Sequence, residues 1–346
     1  VWELVRNRSY ISARPLGSRS LKNVSQPVEV FALGTGPQQR ASRVDRRFAS
    51  LVGCLALLAV GYGVYAANRA AIQSYLMLTL PRYIGNPIEQ EIGFATTGDG
   101  VRIAYATTGQ GPGLVFVVGW ATHLERGLLS PMYDAADGIR WLSRRNLFVR
   151  YDGRGFGLSD RDVTDFSLDV RVRDLEAVAD ALGLDRFSML AVSSGGPTAI
   201  AYAARHPQRV SRIVFLSAAV SWGPSPAQIR EHPVITSERE WSAMLDLFRS
   251  GWESAIVRGT MADLLFPELS DARRRVIIEF LRISGSGAAV AEFHGTVADA
   301  TDLARRVEVP ALVIHTEADP VVPFSYGRRL ASLIPGAQLK IVDGYH

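Results

Sequence analysis

The 346-residue sequence contains one cysteine, Cys54. A single cysteine forms no intrachain disulfide, so this fold rests on packing and hydrogen bonds. Cys54 lies in an apolar stretch and reads as a small hydrophobe. The sequence has no cluster with metal-ligand spacing and no phosphate-binding loop, so no metal or other cofactor is expected. It has no internal repeat and no low-complexity tract, which excludes a repeat architecture. Charge is missing altogether from Phe48 to Ala67, "FASLVGCLALLAVGYGVYAA". That length matches a helix spanning a bilayer. The competing reading is a buried core helix. A secretory signal peptide fits less well, because a folded-looking segment precedes the stretch.

Composition places the chain among globular proteins, with 47% hydrophobic and 21% charged residues. The formal net charge of +4 is unevenly spread. Residues 1–47 carry nine Arg/Lys against three Asp/Glu, whereas the chain after Ala67 carries 29 against 31. The basic excess therefore precedes the apolar stretch, and no nucleic-acid partner is expected. Arg40, Arg43, Arg46 and Arg47 stand just before that stretch, and only Arg69 and Arg82 follow closely. The positive-inside rule then predicts a single-pass membrane protein with residues 1–47 in the cytoplasm and the later domain outside it. Residues 34–47 read as a basic linker and residues 68–88 as a stalk, whose helical pattern Pro81 stops. The chain starts at Val1 rather than Met and ends at His346, which predicts a piece of a longer protein.

From residue 89 the rhythm changes. "EQEIGFATT" and "VRIAYATT", separated by Gly-Asp-Gly, predict a β-hairpin. Short apolar runs follow: "GLVFVVG", "NLFVRYD", "FSMLAVS", "RIVFLS", "PALVIHT" and "AQLKIVD". They read as strands buried on both faces. Helical patterns alternate with them, which predicts an α/β fold with a mostly parallel sheet. Residues 218–300 interrupt the alternation with mostly helical sequence holding Trp222, Trp241 and Trp252, and read as a cap over the sheet edge.

Five pieces carry the chemistry, in chain order. They are "GLVFVVGW", "YDGRGFGLSD", "AVSSGG", "ALVIHTEADPVVP" and "IVDGYH". Together they resemble the α/β-hydrolase family across residues 89–346, with its nucleophile, acid and histidine in the order Ser, Asp, His. The elbow motif usually reads G-x-S-x-G. Here it reads A-V-S-S-G, with Ala191 at the first position. The resemblance implies Ser193 as nucleophile, His346 as base and Asp319 as the acid orienting it. Glu317 is the nearest competitor for the acid. It also implies an oxyanion site made by the backbone N–H groups of Trp120 and Ser194. The usual His-Gly pair of that loop is Val118-Gly119 here. Asp152, Arg154 and Gly155 match a loop that shapes the fold. Of the other histidines, His206 closes a helix, His232 and His294 fall in the cap, His315 reads as a core residue, and His123 follows the oxyanion loop as a possible pocket wall. A serine at the elbow excludes the aspartate chemistry of epoxide hydrolases and haloalkane dehalogenases.

Residues 1–33 hold a second resemblance. "LGSRSLKNVSQPVEVFAL" is similar to the closing strands of a class III adenylate/guanylate cyclase domain, without the upstream residues such a domain needs for catalysis. The expectation is a membrane-anchored serine esterase acting on a small-molecule acyl substrate, from a protein with a possible upstream cyclase domain. Two rival readings are a ligand-sensing domain that regulates a cyclase and a cofactor-free haloperoxidase or perhydrolase.

Overall fold

The structure is a computed structural model, and it describes residues 11–20, 26–35, 88–129, 135–225, 229, 235–267 and 270–343. The chain divides into two units, Val1–Asn68 and Arg69–His346. In the first unit, β1 (Ile11–Arg19) and β2 (Val28–Thr35) form an antiparallel pair whose register shifts between Pro15 and Gly17. The apolar stretch 48–67 and the stalk residues 68–87 lie outside the described residues. Among the described residues, no helix is long and apolar enough to cross a membrane.

In the second unit, the predicted hairpin forms from β3 (Glu91–Thr96) and β4 (Arg102–Thr108), paired antiparallel around Gly98 to Gly100. The apolar runs then become β5 (Gly113–Val117), β6 (Leu147–Tyr151), β7 (Phe187–Val192), β8 (Val210–Leu216), β11 (Ala311–Thr316) and β12 (Gln338–Val342). These six pair in parallel, and β4 joins β6 antiparallel. The eight-stranded sheet runs β12-β11-β8-β7-β5-β6-β4-β3. Between β5 and β7 the order of connections reverses. In an open parallel sheet, the carboxyl ends of the strands at such a point frame a crevice.

One face of the sheet packs on α2 (Leu168–Ala181), α3 (Gly196–Arg205), α8 (Thr301–Ala304) and α9 (Phe324–Leu333). Val115, Val117, Met189, Ile213 and Val313 supply its buried residues. The other face differs from the sequence expectation of burial on both sides. Leu114, Phe116, Leu190, Val214, Leu312 and Ile314 are only half-buried. Of the described helices, α1 (Ala135–Ser143) lies on this side, where Ile139 and Leu142 share a cavity with Phe116, Leu190 and Leu216. The alternation along each strand thus marks one closed face and one that borders a cavity.

Between β8 and β11 the chain makes β9 (Ser221–Trp222), then α4 (Glu238–Gly251), α5 (Ala255–Leu265), α6 (Asp271–Ser284) and α7 (Gly287–Gly295), then β10 (Ala298–Asp299). Serine side chains cap the first turn of all four helices, satisfying backbone N–H groups that a helix start leaves unpaired. β9 and β10 pair antiparallel, so the segment leaves and re-enters the sheet layer at one place. Trp222, Trp241, Trp252, Phe248 and Phe293 pack there in a second apolar cluster with Phe156 and Phe166.

Candidate active site

Ser193 follows directly on β7 and opens a short 3-10 turn that leads into α3. Its φ is +52°, in the left-handed region that costs a residue with a side chain roughly 1–2 kcal/mol. The surrounding packing maintains this conformation. Gly195 lies so close to the β5 strand end that a Cβ would overlap the Val117 carbonyl oxygen. Ala191 is fully buried in β7 between Val117 and Phe215, so a methyl group is accommodated where the motif usually has glycine. A serine held in this conformation at the carboxyl end of a central strand has the backbone geometry of a nucleophile elbow. Among the described residues, two further non-glycine residues have positive φ, Ala121 at +55° and Ser217 at +42°. They follow β5 and β8, the strands flanking β7, so backbone strain gathers around Ser193.

Trp120, Ser193 and Ser194 all line one cavity of about 260 Å³. Most of its wall is apolar, with Phe116, Val118, Leu142, Phe148, Leu265 and Phe280. Gly119 lies over Ser194, and a Cβ there would overlap the Ser194 hydroxyl oxygen and stand 2.7 Å from Phe293 Cζ. The Val118-Gly119 pair therefore keeps the glycine, the member that the approach requires. Trp120 is braced from the helical segment, because the His294 ring meets it edge-on at 4.7 Å between centroids. His294 accepts a hydrogen bond at Nδ1 from Trp222 Nε1 at 3.2 Å, and its carbonyl accepts one from Trp241 Nε1 at 3.2 Å.

Asp319 sits in the turn after β11 with its side chain fully buried. Its Oδ1 accepts from the N–H groups of Val321 and Val322 at 2.9 and 2.8 Å. His315 is the core residue expected. Its Nε2 donates to the Val322 carbonyl at 2.8 Å and lies 3.9 Å from Asp319 Oδ2. Since a carbonyl only accepts, Nε2 carries the ring proton. Glu317, the competing acid, is exposed on the same turn. His346 lies outside the described residues, as does His232. Thr316 pairs with Val342, so β12 delivers the chain beside the start of the Asp319 turn.

His123 also lines the cavity. Burial, then the charges of Arg161 and Arg126, hold its pKa down to about 4. Such an imidazole is a weak base at neutral pH. The loop after β6 is built as expected. Asp152 Oδ2 accepts from Leu124 N–H at 3.1 Å and Leu158 N–H at 2.8 Å. Arg154 is clamped between Asp174 at 2.7 Å and Asp99 at 3.0 Å.

Sequence reasoning missed three features. Arg171 is buried, with its guanidinium 3.8 Å above the Phe293 ring and Nη2 donating to the Phe293 carbonyl at 3.1 Å. It ties α2 to α7, and its helical spacing reads simply as an exposed charge. The left-handed Ala121 carries no turn signature. Arg150, inside a strand, also borders the cavity. A charge within an otherwise apolar run was the available signal.

A strained serine at the switch point beside an apolar cavity, and a buried acid on the turn after β11, belong to one architecture. A family profile described as alpha/beta hydrolase fold matches residues 115–346. The chain belongs to this family. A bifunctional esterase/perhydrolase from Acinetobacter calcoaceticus is 27% identical over 265 residues, covering 73% of this chain and 92% of that protein. A non-heme haloperoxidase from Rhodococcus erythropolis is 28% identical, covering 72% of this chain and 91% of its own length. Among solved structures, an esterase from Rhodococcus sp. ECU1013 superposes with a TM-score of 0.60 at 25% identity, covering 74% of this chain and 91% of that one.

Proposed function

We propose that this α/β-hydrolase cleaves carboxylic esters by nucleophilic catalysis. Ser193 attacks the acyl carbonyl, His346 takes the hydroxyl proton and passes it to the leaving alcohol, and Asp319 holds the imidazole. The N–H groups of Trp120 and Ser194 receive the oxyanion. Water then resolves the acyl-enzyme with the same histidine as base. The observation that carries this reading is the left-handed Ser193 lining the apolar cavity. The esterase named among the relatives supports it. The test is hydrolysis of p-nitrophenyl esters by the full chain, with Ser193→Ala as control. The expected loss is at least about 10³-fold. Equal turnover by both proteins excludes the mechanism.

A perhydrolase reading has its own support in the esterase/perhydrolase and the haloperoxidase among the relatives. Hydrogen peroxide would replace water at the acyl-enzyme, releasing a peracid and regenerating Ser193. Peracid formation from an ester and peroxide, dependent on Ser193, tests it. A pure ligand sensor would bind in the cavity without reacting.

Anchoring by residues 48–67 in a single pass, with the hydrolase unit outside the cytoplasm, belongs to the same proposal. It is supported by the uncharged stretch and the preceding arginines. Protease protection in sealed vesicles tests it: cleavage of both units from one side excludes the topology. The pairing of β1 and β2 supports a β-rich front piece. Its derivation from a cyclase domain rests on the sequence resemblance.

A further inference from the structure

His315 occupies a position in β11 that packing alone would give to an aliphatic residue. Ala311, Val313 and His315 alternate onto the closed face of the sheet, and all three are buried. An imidazole there needs hydrogen-bond partners that a valine does not. Its Nε2 donates to the Val322 carbonyl at 2.8 Å. The N–H of the same Val322 donates to Asp319 Oδ1 at 2.8 Å, and the Val321 N–H adds a second bond to that oxygen at 2.9 Å. Val322 is itself fully buried. One residue thus links the imidazole, through its carbonyl, to the carboxylate, through its N–H. His315 Nε2 also lies 3.9 Å from Asp319 Oδ2, too far for a hydrogen bond but close to the charge.

The ring is held in turn from α9. A Cβ on Gly327 would overlap the imidazole Nδ1, so the helix passes the ring at its glycine. Phe324, in the first turn of α9, meets the ring edge-on with centroids 5.9 Å apart. β11, the Asp319 turn and α9 therefore converge on one side chain. A leucine would fill this space but would leave the Val322 carbonyl without this donor. We infer that His315 is a positioning residue for the proposed acid: through Val322 it fixes the Asp319 carboxylate in the orientation that His346 requires. The role of Asp319 in this inference rests on the esterase reading.

The test compares His315→Leu with His315→Gln in the full chain, with p-nitrophenyl butyrate as substrate across the pH range and circular dichroism to count folded molecules. His315→Leu is expected to lose about 10²-fold in kcat, with KM within about twofold of the unsubstituted chain. A well-placed carboxylate favours the charged imidazole, so its displacement moves the acid limb of kcat/KM to lower pH. Glutamine places a donor near the position of the imidazole Nε2, and His315→Gln is expected to recover at least about tenfold in kcat over the leucine variant. A leucine variant with unchanged kcat and acid limb overturns the inference. Equal losses in both variants with an unmoved acid limb also overturn it, because they report packing alone. Where His315→Leu does not fold, His315→Met takes its place with a more adaptable side chain. A readout without turnover separates this inference from the esterase reading. An imidazole N–H bonded to a carboxylate gives a low-field proton resonance, assigned here by its loss in Asp319→Asn. The resonance is expected in the unsubstituted chain and in His315→Gln, and not in His315→Leu. Absence of Ser193-dependent hydrolysis removes the esterase reading, and the resonance then decides the inference: its absence from the unsubstituted chain, or its persistence in His315→Leu, overturns it.

Discussion

Gly119 and Ser194 are in such close apposition that any side chain on Gly119 would overlap the Ser194 hydroxyl. The loop after β5 and the turn after β7 are thereby locked to each other, and the proposed oxyanion donors flank the contact. A Cβ on Gly119 would also stand only 2.7 Å from Phe293 Cζ, so an added methyl displaces the loop. Gly119→Ala is expected to lower kcat for p-nitrophenyl esters by on the order of 10²-fold, through displacement of the donors. Steady-state kinetics against the unsubstituted chain check this. Unchanged kcat contradicts a role for the loop.

The positive φ of Ser193 separates two substitutions that remove the same hydroxyl. Glycine accepts a φ of +52° without strain, and alanine does not. Ser193→Gly is expected to exceed Ser193→Ala in unfolding free energy by about 1 kcal/mol, with both inactive. Urea denaturation measures the difference. A more stable alanine variant means that the elbow is not strained.

Much of this candidate site was legible in the sequence because its pattern is local. Ser193 with its glycines, and Asp319 in a turn after an apolar run, are short-range patterns that strand and turn preferences place directly. What escaped depends on distant contacts. Ala121 takes a positive φ, which alanine itself does not signal. The bond from Trp222 to His294 spans 72 positions. The half-burial of Phe116 and Leu190 reflects which helices cover that face, and an apolar run reads the same in either case. The basic linker and the uncharged stretch are as plain in the sequence as the elbow; β2 takes in residues 34 and 35 at the start of the expected linker, and residues 36–67 lie outside the described residues.

In the proposed mechanism Asp319 has two tasks that substitution can divide. Asparagine retains a side-chain oxygen to accept from Val321 and Val322, which holds the turn. It loses the charge that orients and stabilises an imidazolium. Asp319→Asn is expected to melt close to the unsubstituted chain while losing roughly 10³–10⁴-fold in kcat. Thermal denaturation and ester kinetics together check this. Full activity in the variant transfers the acid role to Glu317.

His123 gives a pH signature. Its pKa falls from the ordinary 6.5 to about 4 in the fold, by burial first and then by Arg161 and Arg126. The unfolded chain therefore takes up a proton that the folded chain refuses between those values. The stability associated with neutral His123 is complete above about pH 6.5 and is lost as pH falls towards 4. His123→Gln removes this dependence. Unfolding free energies at pH 7 and pH 4.5 are expected to show the unsubstituted chain losing ground to the variant on acidification. A pH-independent difference contradicts the buried, neutral histidine.

The most direct test of the account is to identify the nucleophile chemically. Two serines stand side by side at the cavity, and only Ser193 has the strained backbone of an elbow. The folded chain is treated with a fluorophosphonate probe, digested and sequenced by mass spectrometry. The account predicts one adduct, on Ser193, absent after Ser193→Ala. An adduct on Ser194, or no adduct on the folded chain, contradicts it.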